Sequence, residues 1–207
     1  MKLIEAIRQR ARALMRHLAR GLNALTGGKL HPDLVTLIGF AMHIPIAVLI
    51  GLGHYNLWAA VLLFIFGLFD TLDGELARLQ GRESSRGGLL DASTDRMKEV
   101  LLYIGAAYAA THTTNPGTAV WAVAACGASL CVSYVKAKGE AIVAADKGVR
   151  YAALNKLFKD GLLTFEVRMF VLLAGLVTGR VMLAVALIAV LATYTAFQRL
   201  IRISRAL

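Results

Sequence analysis

Four aspartates carry most of the chemical information in this 207-residue chain: Asp70 and Asp73, then Asp91 and Asp95. The first pair is spaced i, i+3 and the second i, i+4, so on helices the members of each pair share a face and both pairs can point into one pocket. All four adjoin long apolar runs, where an ionised side chain is costly unless it is paired or liganded. Such a set of carboxylates is a hard, anionic oxygen cage. It suits Mg²⁺, Mn²⁺ or Ca²⁺ and not zinc or copper, whose sites favour nitrogen and sulfur. Its charge more than neutralises one divalent ion, and two ions about 4 Å apart would stabilise charge on a pentavalent phosphorus and on its leaving oxygen. The chemistry these residues point to is metal-assisted phosphate transfer.

The residues between the acids fit that reading. Gly74 and Ala77 follow Asp70 at i+4 and i+7 and clear room on the acid-bearing face. Arg78 is permanently charged and forked, suited either to a phosphate or to a neighbouring carboxylate. Gly87, Asp91 and Asp95 rise in steps of four, a stripe that opens with a gap and continues with two acids.

The elements that must position these side chains are membrane helices. The chain is 57% hydrophobic and 17% charged, with a mean hydropathy of +0.62, values of an integral membrane protein. A span of roughly 30 Å of hydrocarbon needs about 20 residues. Six apolar runs are expected to cross, at 34–53, 57–78, 88–111, 118–138, 162–178 and 181–201, which predicts an all-α membrane fold. Residues 1–30 are not a signal peptide, because arginines disperse their apolar residues. Ile4, Ile7, Ala11, Leu14, Met15, Leu18, Leu22 and Leu25 recur at helical spacing, which predicts an amphipathic helix in the headgroup layer, ended by Gly27-Gly28. The expected organisation is this interfacial helix (1–30) followed by a six-helix catalytic domain (31–207), with a short surface helix around 149–159.

Net charge is +10, but its placement argues against nucleic acid. Basic residues alternate by loop: they crowd the amino-terminal segment, the loop with Arg82 and Arg86, the stretch 136–161 and the carboxyl tail, and the connections at 54–56 and 111–117 hold none. By the positive-inside rule both termini and the aspartates face the cytoplasm, in the cell membrane. Cys126 and Cys131 lie on different faces of one helix, so packing is expected and a disulfide is not.

A second group of residues bears on the acceptor. Ser133, Lys136 and Lys138 end the fourth run, Arg168 begins the fifth and Arg199 ends the sixth. Cations at one level beside an anionic metal site suit an acceptor that already carries a phosphate, although interfacial Lys and Arg also snorkel to headgroups. A cation or proton transporter is the competing class, since buried acids also mark ion pathways. Against it, the outer halves of the spans hold almost no ionisable groups to continue such a path.

The run Asp70-x-x-Asp73-Gly74-x-x-Ala77-Arg78, eight residues, Gly87, three residues, Asp91, three residues, Asp95 resembles the signature of the CDP-alcohol phosphotransferase family at every fixed position. The resemblance implies transfer of a substituted phosphate from a CDP-linked donor such as CDP-diacylglycerol to an alcohol, releasing CMP, with Mg²⁺ or Mn²⁺. It implies that Asp70, Asp73, Asp91 and Asp95 hold two divalent ions, with Asp95 as base on the acceptor hydroxyl, and that Thr71, Gly74, Ala77, Arg78 and Gly87 line the CDP pocket. It also implies a homodimer. Ser133-Tyr134-Val135-Lys136-Ala137-Lys138-Gly139-Glu140 and the stretch around Asp91 are similar to the branch that uses inositol phosphate. That implies a phosphorylated polyol as acceptor, its phosphate held by Ser133, Lys136, Lys138, Arg168 and Arg199, with glycerol 3-phosphate as the alternative. Asp33 stands where many members carry Asn, and Lys138 where Arg is common, which removes a bidentate fork at that position.

Overall fold

The computed structural model of the chain describes residues 2–145 and 163–205. The surface helix expected at 149–159 lies outside the described residues. Along the chain run α1 (Lys2–Leu25), α2 (Pro32–Leu52), α3 (Asn56–Gly67), α4 (Phe69–Gln80), α5 (Ser85–Thr111), a 3₁₀ turn (Pro116–Thr118), α6 (Ala119–Ala145), α7 (Phe165–Val177) and α8 (Val181–Ser204), with no strand among the described residues. The helix starts follow local rules: Pro32 opens α2 behind His31, whose ring nitrogen accepts from the Asp33 N–H, and the Ser84 hydroxyl caps α5 by accepting from the Gly87 N–H at 3.0 Å.

Among the described residues, four stretches are long and apolar enough to cross a bilayer: Pro32–Leu52, Asn56–Gln80, Pro116–Ile142 and Val181–Ser204. The other two expected spans are helical as well, but α5 carries Asp91, Asp95, Arg96, Lys98 and Glu99, and α7 has only 13 residues. Large apolar side chains face outward around the bundle, among them Trp58 (65% exposed), Val123 (68%) and Phe170 (64%). A belt of that kind marks contact with lipid in place of water.

The expected second span is not one continuous helix. It divides at Leu68, whose N–H bonds back to Ile65 in a tightened turn after Gly67, and α4 restarts one residue later. Glycine is the poorest helix former but proline, and here it precedes the joint. The consequence is local: Asp70 falls in the first turn of a fresh helix.

Helix α2 is the ruler of the site. It packs against α5 and α4, and against α5 its backbone approaches so closely that a Cβ on Gly105 would run into the Ala47 carbonyl oxygen. Gly51 meets the Tyr108 ring in the same seam, and Gly39 leaves room for Phe69 at the start of α4. Small residues of this kind bring membrane helices together in the absence of a hydrophobic drive between them. The main core lies beyond, where Ile46 and Ile50 meet Leu102, Ala106, Leu172 and Ile188, and α6 packs along α8. A smaller core joins Met15 and Ala19 of α1 to Val35, Leu72 and Leu76, so α1 rests on the helix that bears Asp70 and Asp73. Its apolar stripe is thereby divided: Met15 and Ala19 are buried against protein, and Leu14, Leu18 and Leu25 point outward.

Candidate active site

Two short helical segments meet at the acids. Asp70 and Asp73 occupy the first turns of α4, and Asp91 and Asp95 lie on α5, held opposite by the packing of both helices on α2. Carboxylate oxygens of Asp70, Asp91 and Asp95 all lie within 4.8 Å of one another. Asp73 stands at the side of this group, buried, with Oδ2 accepting from the Thr36 hydroxyl of α2 at 2.5 Å. Asp91 Oδ1 is buried and has no hydrogen-bond partner among the described residues. A buried anionic oxygen with no donor is costly, and a cation placed among the three carboxylates would satisfy it. All donors there are carboxylate oxygens, the set Mg²⁺ and Mn²⁺ prefer. The residues present therefore fit the metal that the spacing implies.

The structure adds a residue that the spacing of the acids does not mark. Lys98, one turn beyond Asp95, is 1% exposed, and its ammonium donates to Asp70 and, at 3.2 Å, to Asp95 Oδ1. Glu99 is buried beside it, facing the other way, and accepts from Arg168 Nε at 2.7 Å, Arg168 Nη2 at 2.9 Å and Arg96 Nη1 at 2.5 Å. Arg96 also donates to the Ser133 hydroxyl at 2.8 Å and lies over the Phe165 ring. The signal in the sequence is the Lys98-Glu99 pair inside an apolar run one turn after Asp95, charges that a span does not tolerate without partners.

The residues expected to line the nucleotide pocket lie on α4, apart from Gly87, which lies in the first turn of α5. Gly74 has open space, an added Cβ meeting only Arg78 Nη2 at 3.7 Å. Gly87 is tighter, beside Ser84 Oγ and Asp33 Oδ1, which sets Asp33 at the start of α5. Thr71 and Ala77 are half-buried on α4. Arg78 is largely exposed and pairs with Glu75 at 2.8 Å and Glu83 at 3.4 Å.

The acceptor candidates divide in two. Ser133 and Arg168 are linked inside the bundle, Arg168 being bound by Glu99, which shares Arg96 with Ser133; Arg199 is buried too, its Nη1 donating to the Val132 carbonyl at 3.2 Å. Among the described residues Arg199 Nε is buried without a hydrogen-bond partner, a donor that an acceptor would satisfy. Lys136 and Lys138 lie further out, Lys136 3.8 Å from Glu140 and Lys138 exposed. Cys126 and Cys131 are both free thiols.

Comparison with known proteins places this geometry. The profile of the CDP-alcohol phosphatidyltransferase family matches residues 29–197. A phosphatidylinositol phosphate synthase of Corynebacterium glutamicum is 36% identical over 115 residues, covering 55% of this chain and 52% of the relative, so the match spans about half that protein's length. The crystal structure of Mycobacterium tuberculosis phosphatidylinositol phosphate synthase with CDP-DAG bound superposes with a TM-score of 0.77 at 26% identity, covering 92% of this chain and 94% of the other. The structure of that protein with manganese and citrate superposes equally well, at 26% identity over 92% of this chain and 88% of the other.

Proposed function

We propose, from the premise that the chain belongs to the CDP-alcohol phosphatidyltransferase family, that it transfers a phosphatidyl-type group from a CDP-linked lipid donor to a phosphorylated polyol and releases CMP. The observation that carries the reading is the convergence of Asp70, Asp91 and Asp95 within 4.8 Å across two helices. Inositol phosphate is the favoured acceptor, giving phosphatidylinositol phosphate, and glycerol 3-phosphate is the alternative. The support for the former is the likeness to the mycobacterial and corynebacterial synthases together with the buried Arg199 Nε, a donor that an acceptor would satisfy.

Roles follow from position. Asp70, Asp73, Asp91 and Asp95 would hold Mg²⁺ or Mn²⁺, which when bound neutralises the donor's pyrophosphate and its leaving oxygen. Thr36 fixes the Asp73 carboxylate. Asp95 takes the proton that the acceptor hydroxyl loses as its oxygen attacks phosphorus, and the phosphorus–oxygen bond to CMP breaks. Thr71, Gly74, Ala77 and Gly87 shape the nucleotide pocket, with Arg78 at its exposed mouth. Ser133, Lys136, Lys138 and Arg199 bind the acceptor phosphate, and Arg168, locked by Glu99, contributes its positive field and holds α7 in place.

The wider arrangement we infer is six spans with both termini and the active site at the cytoplasmic face of the cell membrane. Residues 1–30 act as an interfacial helix on a catalytic domain of residues 31–207, in a homodimer. The test is CMP release from CDP-diacylglycerol by the purified protein, with inositol 1-phosphate, glycerol 3-phosphate, serine and free inositol as acceptors. Mg²⁺-dependent release, fastest with inositol 1-phosphate and lost in Asp95→Asn, is expected. No release with any acceptor would leave the ion-transport class standing, and equal rates for wild type and Asp95→Asn would remove Asp95 as the base.

A further inference from the structure

The site holds its own competing cation. Lys98 Nζ donates to Asp70 and to Asp95 Oδ1, two of the three carboxylates that draw together around Asp91. Its side chain is 1% exposed and rises from the same helix face as Asp95, one turn on, so the ammonium is held by the two carboxylates and not by water. Arg96 is no substitute for it: 3.8 Å from Asp95 Oδ2, it is engaged by Glu99 and Ser133. An ammonium and a divalent ion cannot share one carboxylate oxygen without strong repulsion where water is largely excluded.

We propose that Lys98 sets the metal affinity of this site by competing with divalent ions for the Asp70 and Asp95 carboxylates, so that metal loading is an exchange of ammonium for metal. The proposal rests on reading the acid nest as a divalent-ion site. Exchange has two consequences. Divalent affinity is weaker than four aspartates alone would give, because displacing the ammonium opposes each binding event. Protein stripped of metal stays folded, because Lys98 compensates carboxylates that would otherwise repel one another. Lys98 is thus a positioning residue that acts through its two aspartates.

The experiment is Mn²⁺ titration of the full chain in nanodiscs, followed by the loss of the free-ion electron paramagnetic resonance signal, for wild type, Lys98→Met and Lys98→Gln. The glutamine variant keeps a hydrogen-bond donor on a side chain one atom shorter, and serves if the methionine protein does not fold. Both variants are expected to bind Mn²⁺ at least about tenfold more tightly than wild type, the scale of one unit charge removed from beside the ion. Thermal unfolding gives a second readout: in EDTA the variants melt below wild type, and saturating Mn²⁺ raises their midpoint more than it raises that of wild type. Unchanged or weaker Mn²⁺ affinity in the glutamine variant overturns the competition. Absence of Mn²⁺ binding from wild type and variants alike overturns the metal-site reading, and the proposal with it.

Discussion

Glu99→Gln tests whether the charged network beneath the site is structural. Glu99 and Arg168 are each 1% exposed, and the carboxylate takes two hydrogen bonds from Arg168 and one from Arg96. Glutamine keeps one acceptor oxygen but removes the charge, leaving the Arg168 guanidinium buried beside a neutral amide. Breaking a buried pair from one side costs about 3–5 kcal/mol. For a chain of this size that is a fall in melting midpoint on the order of 10 °C. Removing both charges differs, because Glu99→Gln with Arg168→Met leaves no fully buried ion of that pair, and Arg96, 23% exposed, retains Asp95 at 3.8 Å; such replacements are often close to neutral. The assay is thermal unfolding in detergent, read by loss of the monodisperse peak in size exclusion, for both single variants and the double. A single Glu99→Gln variant within about 1 kcal/mol of wild type would refute the reasoning, since a change that small is expected of exposed pairs. So would a double variant as unstable as the sum of the singles.

Two further outcomes are expected. Gly105→Ala should destabilise by about 1–3 kcal/mol, because its methyl group meets backbone at Ala47 and not a movable side chain, with Gly127→Ala, which has open space, as the control in the same melting assay. Arg199→Ala should raise the acceptor KM at least about tenfold with little change in donor KM, since one permanent charge leaves the proposed phosphate grip, and equal effects on both constants in steady-state CMP release would detach Arg199 from the acceptor.

What could be read in advance was whatever depends on helical period alone. The spacing of Asp70, Asp73, Asp91 and Asp95 set their faces, and the hydropathy set the helices that carry them, so the meeting of α4 and α5 at the acids needed only that the two faces turn toward each other. Partners across helices were not legible. Lys98 reaches Asp70 from 28 positions away and Arg168 reaches Glu99 from 69, and those pairings depend on the register in which α5 lies against α4 and α7. The joint at Leu68 was hidden for another reason, because Asn56–Gln80 is apolar enough to look like one span and a single glycine is a weak boundary mark. Thr36 lies in an apolar helix where a hydroxyl usually bonds its own backbone; it does so toward Pro32, and only the packing of α2 on α4 reveals its second bond to Asp73.

The glycine seam between α2 and α5 gives the molecule two halves with different latitude. Where backbones touch, no side chain is left to absorb a shift, so the gap between the acids of α4 and α5 behaves as a cast part with a fixed tolerance. The cations on α6, α7 and α8 are mounted differently, on long side chains, of which Arg168 is tied back to α5 through Glu99 and Arg199 leans on the Val132 carbonyl. Under the proposed function, a lineage or an engineer seeking a new acceptor has that second half to remodel while the spacing of the acids stays in gauge.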